Sequence, residues 1–156
     1  YGVSVIRTPV GQPFISEAMI EHEAVLGGEG SGGVAIPEVH PTHDSAAAIG
    51  LILEFLSIHD YTISQLADEL PSVTMLKYNL EVEPNRLYSL LQNFRMFVEA
   101  ERLKHDSSDG IKVFLEDGWI HVRASNTESI IRIIAEAEEP SRAQELIDWA
   151  RDRVRR

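Results

Sequence analysis

The 156 residues contain no cysteine, which excludes disulfide bridges, thiolate nucleophiles and Cys-ligated metals and leaves the redox compartment unmarked. No apolar run approaches the ~20 residues that span a bilayer, and no signal peptide precedes Tyr1. The expectation is a soluble, cytoplasmic protein with no membrane partner. Positive charge is scarce: 14 Lys and Arg stand against 25 Asp and Glu, a formal net charge of −11. That balance argues against nucleic acid or an anionic membrane surface as a general partner. An anionic small ligand must then be held by local donors acting against the overall field. What is present is ordinary globular composition, 44% hydrophobic and 25% charged, enough for a core and unlike disorder. The chain opens on Tyr1 rather than Met, in a strand-like run, as a fragment of a longer protein would.

A concentrated set of donors stands at Arg123-Ala124-Ser125-Asn126-Thr127-Glu128, between the apolar runs 119–122 and 130–134. This reads as a tight loop joining two strands. Arg123 offers a planar fork of N–H groups suited to bidentate phosphate recognition. Ser125 and Thr127 add hydroxyls, Asn126 adds an amide and tolerates left-handed backbone, and the turn can aim backbone N–H groups inward. Arg123 and Arg132 flank the loop and supply positive charge. A polar hairpin turn needs no ligand, but this one is richer in oxyanion donors than a turn requires, which favours phosphate.

A second loop runs from Gly27 to Gly33, with five glycines in seven residues. Glycine clusters often only permit tight turns. Here, however, one carboxylate and one hydroxyl, Glu29 and Ser31, flank Gly30 in a loop otherwise free of side chains. Glutamate can accept from two adjacent sugar hydroxyls while glycine lets a ligand approach the backbone. The lysine of a nucleotide-binding P-loop is missing. His40 and His43, with Glu38 and Asp44, sit in a Pro-rich connector and read as solvent-facing or capping groups, so no metal site is expected.

Organisation follows from periodicity. Val3–Ile6 reads as a short buried strand, 14–24 as a helix, and Val34–Ile36 as a strand closing the glycine loop. Asp44 is an N-cap for a helix running to about Ser57. The almost wholly apolar body of that helix predicts packing on more than one side. A short helix over 64–70 is closed by Pro71, and 58–72 behaves as a connector. From Val73 the pattern restarts: a strand over 74–82, then a helix from Asn85 to Glu101 with Leu87, Leu90, Leu91, Phe94 and Val98 on one stripe. A polar turn, 105–110, precedes a hairpin, 111–115 and 119–122, turning on Asp117-Gly118. A strand over 130–136 and a helix over 141–154, started by Ser141, complete the chain.

The two loops, in this order and about a hundred residues apart, resemble those of the α-D-phosphohexomutase family, which includes phosphoglucomutase, phosphomannomutase and phosphoglucosamine mutase. Gly28-Glu29-Gly30-Ser31-Gly32 resembles the sugar-binding loop of the family's third domain, and Arg123-Ala-Ser-Asn-Thr-Glu128 the phosphate-binding loop of its fourth. Thr8-Pro-Val-Gly11 resembles the segment leading into the former. Gly33 stands where many members carry a histidine and others a glycine.

The resemblance implies a chain of mixed α/β and α+β class. Residues 1–60 would end a third α/β/α domain, 61–72 would be a hinge, and 73–156 a fourth domain. That last domain would be a TATA-binding-protein-like α+β unit of strand, helix, three strands and helix. It implies Glu29, Gly30 and Ser31 on the sugar, and Arg123, Ser125, Asn126 and Thr127 on the phosphate, of a hexose phosphate or bisphosphate. The family's phosphorylated serine and its Asp-Gly-Asp-x-Asp ligands for Mg2+ have no counterpart here. The implied parent enzyme interconverts hexose or hexosamine 1- and 6-phosphates, with catalytic residues and metal in missing N-terminal domains and neither in this chain. The competing expectations are a non-catalytic module that binds phosphorylated ligands and a protein-interaction domain.

Overall fold

The computed structural model describes residues 2–125 and 128–155. The chain divides into two compact units, Tyr1–Pro71 and Ser72–Arg156, each described by itself.

The first unit is built on a small antiparallel sheet of β1 (Gly27–Gly28), β2 (Val34–Ile36) and β3 (His40–His43), in that order. Helix α1 (Gln12–Glu21), started by Pro13, presses Ile15 and Met19 against buried Ala35. Gly27 is required at this contact, because a Cβ there would run into Met19 and Ile15. Helix α2 (Ser45–His59) starts as expected: the Asp44 carboxylate accepts from the Ala47 N–H at 2.9 Å. Its cap satisfies one of the donors that every helix start leaves unpaired. Helix α3 (Ile63–Asp68) opens with a capping box between Thr62 and Gln65.

Three expectations in this unit are corrected. Residues 3–6 form no strand, and Val3 and Val5 are 74% and 77% exposed. A strand needs a neighbour for its N–H and C=O groups, and no described strand runs beside them. Helix α2 has no buried residue, so the surface that its apolar sequence calls for is not among the described residues. The Pro-rich connector that holds His40 and His43 gives way to β3, whose two histidines flank Pro41 and Thr42.

The second unit holds a five-stranded antiparallel sheet, ordered β4 (Thr74–Glu81), β8 (Ile130–Ala137), β7 (Gly118–Ala124), β6 (Ile111–Leu115) and β5 (His105–Asp106). Helices α4 (Leu87–Ala100) and α5 (Pro140–Val154) supply the rest of its core. Alternation dictates which residues share a face. Leu80, Ile120, Val122, Ile131, Ile133 and Ala135 point to the core with Phe94, Val98 and Leu146. The apolar stripe expected on α4 is buried at Leu87, Leu90, Phe94 and Val98, with Leu91 packed at its edge. Phe94 and Phe97 meet the Trp149 ring edge-on, at 6.1 and 5.7 Å between centroids.

The expected order of strand, helix, strands and helix is found, with two corrections. The polar turn 105–110 contains β5, because Asp106 and His105 pair with Lys112 and Val113 of β6. Helix α5 takes Glu139 rather than Ser141 as N-cap, with Pro140 in the first turn. Proline's fixed φ and missing N–H suit that position.

Candidate functional site

In the first unit, the glycine loop is a hairpin tip between β1 and β2. The Glu29 N–H donates to the Gly33 carbonyl at 3.1 Å, and the Gly32 N–H to the Glu29 carbonyl at 3.0 Å. Gly32 takes φ +92°, a conformation that favours glycine. The turn brings together the two side chains singled out from sequence: the Ser31 hydroxyl donates to Glu29 Oε1 at 2.5 Å. This leaves Glu29 Oε2 and the lone pairs of the Ser31 oxygen available to a ligand, while open space surrounds Gly30.

Gly33 has a neighbour not visible in sequence. The His43 imidazole lies where a Cβ at Gly33 would go, so in this arrangement the ring packs against a residue without a side chain. His40 pairs instead with the Thr42 hydroxyl at 2.5 Å. No group of three or more His, Asp or Glu side chains that could hold a metal is gathered among the described residues.

In the second unit, Arg123 and Ser125 stand at the end of β7. Asn126 and Thr127, also assigned to the phosphate loop, lie outside the described residues. The Ser125 N–H closes the loop by donating to the Ile130 carbonyl at 3.0 Å. Sheet register sets the electrostatics: Arg123 pairs directly with Arg132 of β8, which in turn pairs with Asn79 of β4. Directly opposed side chains share a face, so two guanidinium-bearing residues adjoin on the sheet face away from the core. Like charges so placed destabilise a sheet unless something negative lies between them. Arg132 is partly answered by exposed Glu128 at 3.5 Å. Arg123 is 8% exposed, and its buried Nε has no hydrogen-bond partner among the described residues. A buried charged donor without an acceptor is costly, and an oxyanion has the chemistry to supply one.

Sequence reasoning missed His121. It sits two residues before Arg123 on the same face, is buried, and has Lys112 directly opposite on β6 and Ile134 on β8. Its Nε2–H donates to the Asp109 carbonyl at 2.6 Å; a carbonyl only accepts, so that nitrogen carries the proton. Burial holds the imidazole pKa below its usual value, aided by the charges of Arg123 and Lys112 and opposed by Asp109. The alternation of His121 between two apolar residues was the available signal, since it places the ring on the face of Arg123.

A pH prediction follows. The unfolded chain binds a proton at His121 near pH ~6.5, whereas the folded chain resists it. The stability of this unit therefore falls as pH drops below that value, until the folded histidine also protonates. Urea unfolding followed by Trp119 and Trp149 fluorescence should show this loss between neutral and mildly acid pH. The loss should be smaller in His121→Gln.

Comparisons with known proteins give the family of the chain. Residues 1–73 match the family described as phosphoglucomutase/phosphomannomutase, alpha/beta/alpha domain III. Residues 80–152 match its C-terminal domain. The chain is 35% identical over 147 residues to a phosphoglucomutase/phosphomannomutase of Thermococcus kodakarensis, covering 94% of this chain and 32% of that protein. It is 31% identical over 152 residues to a phosphoglucosamine mutase of Methanococcus maripaludis, covering 94% and 33% respectively. The chain thus spans about a third of the length of the curated relatives it matches. Among solved structures, a phosphoglucomutase/phosphomannomutase family protein of Burkholderia thailandensis shares the fold. The TM-score is 0.76 at 22% identity, over 94% of this chain and 31% of that one. No described helix is long and apolar enough to cross a membrane. The chain belongs to the phosphoglucomutase/phosphomannomutase family, and its two parts match that family's domain III and C-terminal domain.

Proposed function

We propose that this chain is the substrate-gripping end of a cytoplasmic phosphohexomutase, an isomerase that interconverts hexose or hexosamine 1- and 6-phosphates through a bisphosphate. The observation that carries the reading is Arg123, a buried guanidinium without an acceptor on its Nε, set opposite Arg132 in an acidic chain. In this reading Arg123, Ser125, Asn126 and Thr127 hold the phosphate that is not reacting, and Glu29, Gly30 and Ser31 orient the sugar hydroxyls. Recognition remote from the reacting end lets one site accept either phosphate of the bisphosphate. It also spends binding energy on aligning the reacting oxygen.

The nucleophilic serine and the Mg2+ ligands belong, by the resemblance, to domains outside these 156 residues. Mg2+ would supply charge neutralisation at the transferring phosphoryl group, and these 156 residues alone should not catalyse. Residues 61–72 would serve as the hinge of a closing fourth domain. The bare apolar surface of α2, with Ile49, Leu51, Leu53 and Ile58 exposed, also supports the reading. Exposed apolar area on this scale is commonly an interface, here with the rest of the enzyme.

The test is the sugar loop. In the full-length enzyme, Glu29→Ala should lower kcat/KM for hexose phosphates and alter the preference among gluco- and manno-configured substrates, with the thermal transition preserved. A collapsed transition would make the loop a structural element, and unchanged kinetics would remove Glu29 from the site.

A further inference from the structure

His121 is not a donor to any ligand in the reading above, yet it is the buried side chain nearest in sequence to Arg123 on the same face. Its Nε2–H is committed to the Asp109 carbonyl at 2.6 Å. The next residue, Gly110, turns with φ +68° and lies against the backbone of β7. A Cβ on Gly110 would run into the Val122 carbonyl and come within 2.6 Å of Arg123 Cβ and 2.9 Å of its Cα. The Asp109–Gly110 turn therefore touches Arg123 at the root of its side chain; the pairing of Ile111 with Val122 fixes its β6 end, and the imidazole adds a side-chain tether at Asp109. Asp106, at the start of the same loop, accepts from the Ser108 N–H at 2.8 Å, which tightens the loop from its other end.

We infer that His121 and the Asp109–Gly110 turn it holds are a positioning device for Arg123, setting the direction in which the buried guanidinium is presented to a phosphate. The inference rests on the reading of Arg123 as the phosphate donor. An arginine side chain carries four rotatable bonds and ordinarily loses much rotamer entropy when it binds. A turn packed against its Cα and Cβ removes part of that freedom before the ligand arrives, which is the source of affinity in preorganised sites. The groups facing His121 fit this role. Burial, aided by the charges of Arg123 and Lys112 and opposed by Asp109, keeps the neutral imidazole favoured, and Ile134 closes its other flank.

The test uses the 156-residue chain, with the Arg123 Nε–H resonance as reporter and inorganic phosphate as probe. Without phosphate, His121→Leu should move the Arg123 Nε–H signal towards that of a solvent-exposed arginine, while the methyl signals of Ile133 stay in place. With phosphate, the same variant should bind roughly five- to tenfold more weakly, the size of one neutral hydrogen bond. His121→Gln, whose amide N–H reaches the position of Nε2, should restore both readouts; a merely structural loss would not recover in this way. If the leucine variant does not fold, His121→Asn, whose amide falls short of the Asp109 carbonyl, should show the same displaced signal. An Arg123 signal and phosphate affinity unchanged by removing the imidazole would overturn the inference. A chain in which phosphate leaves Arg123 untouched, while His121→Leu still displaces its signal, would overturn the phosphate reading and leave the positioning role standing.

Discussion

Arg123→Ala is expected to weaken hexose-phosphate binding by at least about tenfold and up to about a hundredfold, since a hydrogen bond to a charged group contributes ~1.5–3 kcal/mol. The side chain is buried and its Nε lacks a partner among the described residues, so that donor is not spent on a described residue. Arg132→Ala should cost less, because that guanidinium is half-exposed and already faces Glu128. Calorimetric titration with glucose 1-phosphate measures both.

The stability readout distinguishes binding from folding. Without ligand, Arg123→Ala removes one of two opposed like charges and should leave the melting temperature unchanged or raised. Added phosphate should stabilise the wild type, by mass action on the folded state, and not the variant. Equal affinity in the two proteins would dismiss Arg123 from the site.

The second large effect concerns the core that holds this sheet. Phe94 is fully buried and meets Trp149 edge-on at 6.1 Å. Phe94→Ala should destabilise the second unit by about 3–5 kcal/mol through lost transfer energy and an unfilled cavity. Against a typical total of about 5–15 kcal/mol, that loss is expected to unfold a large fraction of the unit at physiological temperature. Differential scanning calorimetry should show its transition lowered by more than ten degrees, on the scale of ~4–8 °C per kcal/mol for a domain of this size. Phe97→Ala, on the partly buried side of the same cluster, should cost less. A Phe94 variant that melts with the wild type would mean that the sheet and helices are held by something other than this packing.

Much of the second unit could be read from sequence because its periodicities are local and mutually consistent. The stripe at Leu87, Leu90, Phe94 and Val98 recurs at helical spacing. The hairpin signal at 116–118 sits between two alternating runs; the chain turns on Glu116 and Asp117, one residue earlier than expected, and Gly118 opens β7 opposite Leu115. The Asp44 cap was legible for the same reason, since a helix start is decided within four residues. The strand at 3–6 was not, because strand formation depends on a neighbour that the local sequence does not contain. The apolar body of α2 called for burial that no described residue provides. Short β5 was hidden in a polar turn, because two residues of pairing leave no period to read.

The sequence by itself determined the residue chemistry of both loops, the helices and strands with a strong local pattern, and the family resemblance that follows from the loops. It also put Glu29 and Ser31 two residues apart, and a tight turn brings such a pair into hydrogen-bonding distance. Only the tertiary structure decided what the arginine at 123 faces. The register of β7 on β8 opposed it to Arg132, and the meeting of the Asp109–Gly110 turn with β7 seated it beside the tether of His121. The physical reason is that cross-strand pairing and turn packing join residues nine to thirteen positions apart. Such contacts are set by the global arrangement of the sheet, whereas capping, turn chemistry and amphipathic spacing act within a few residues.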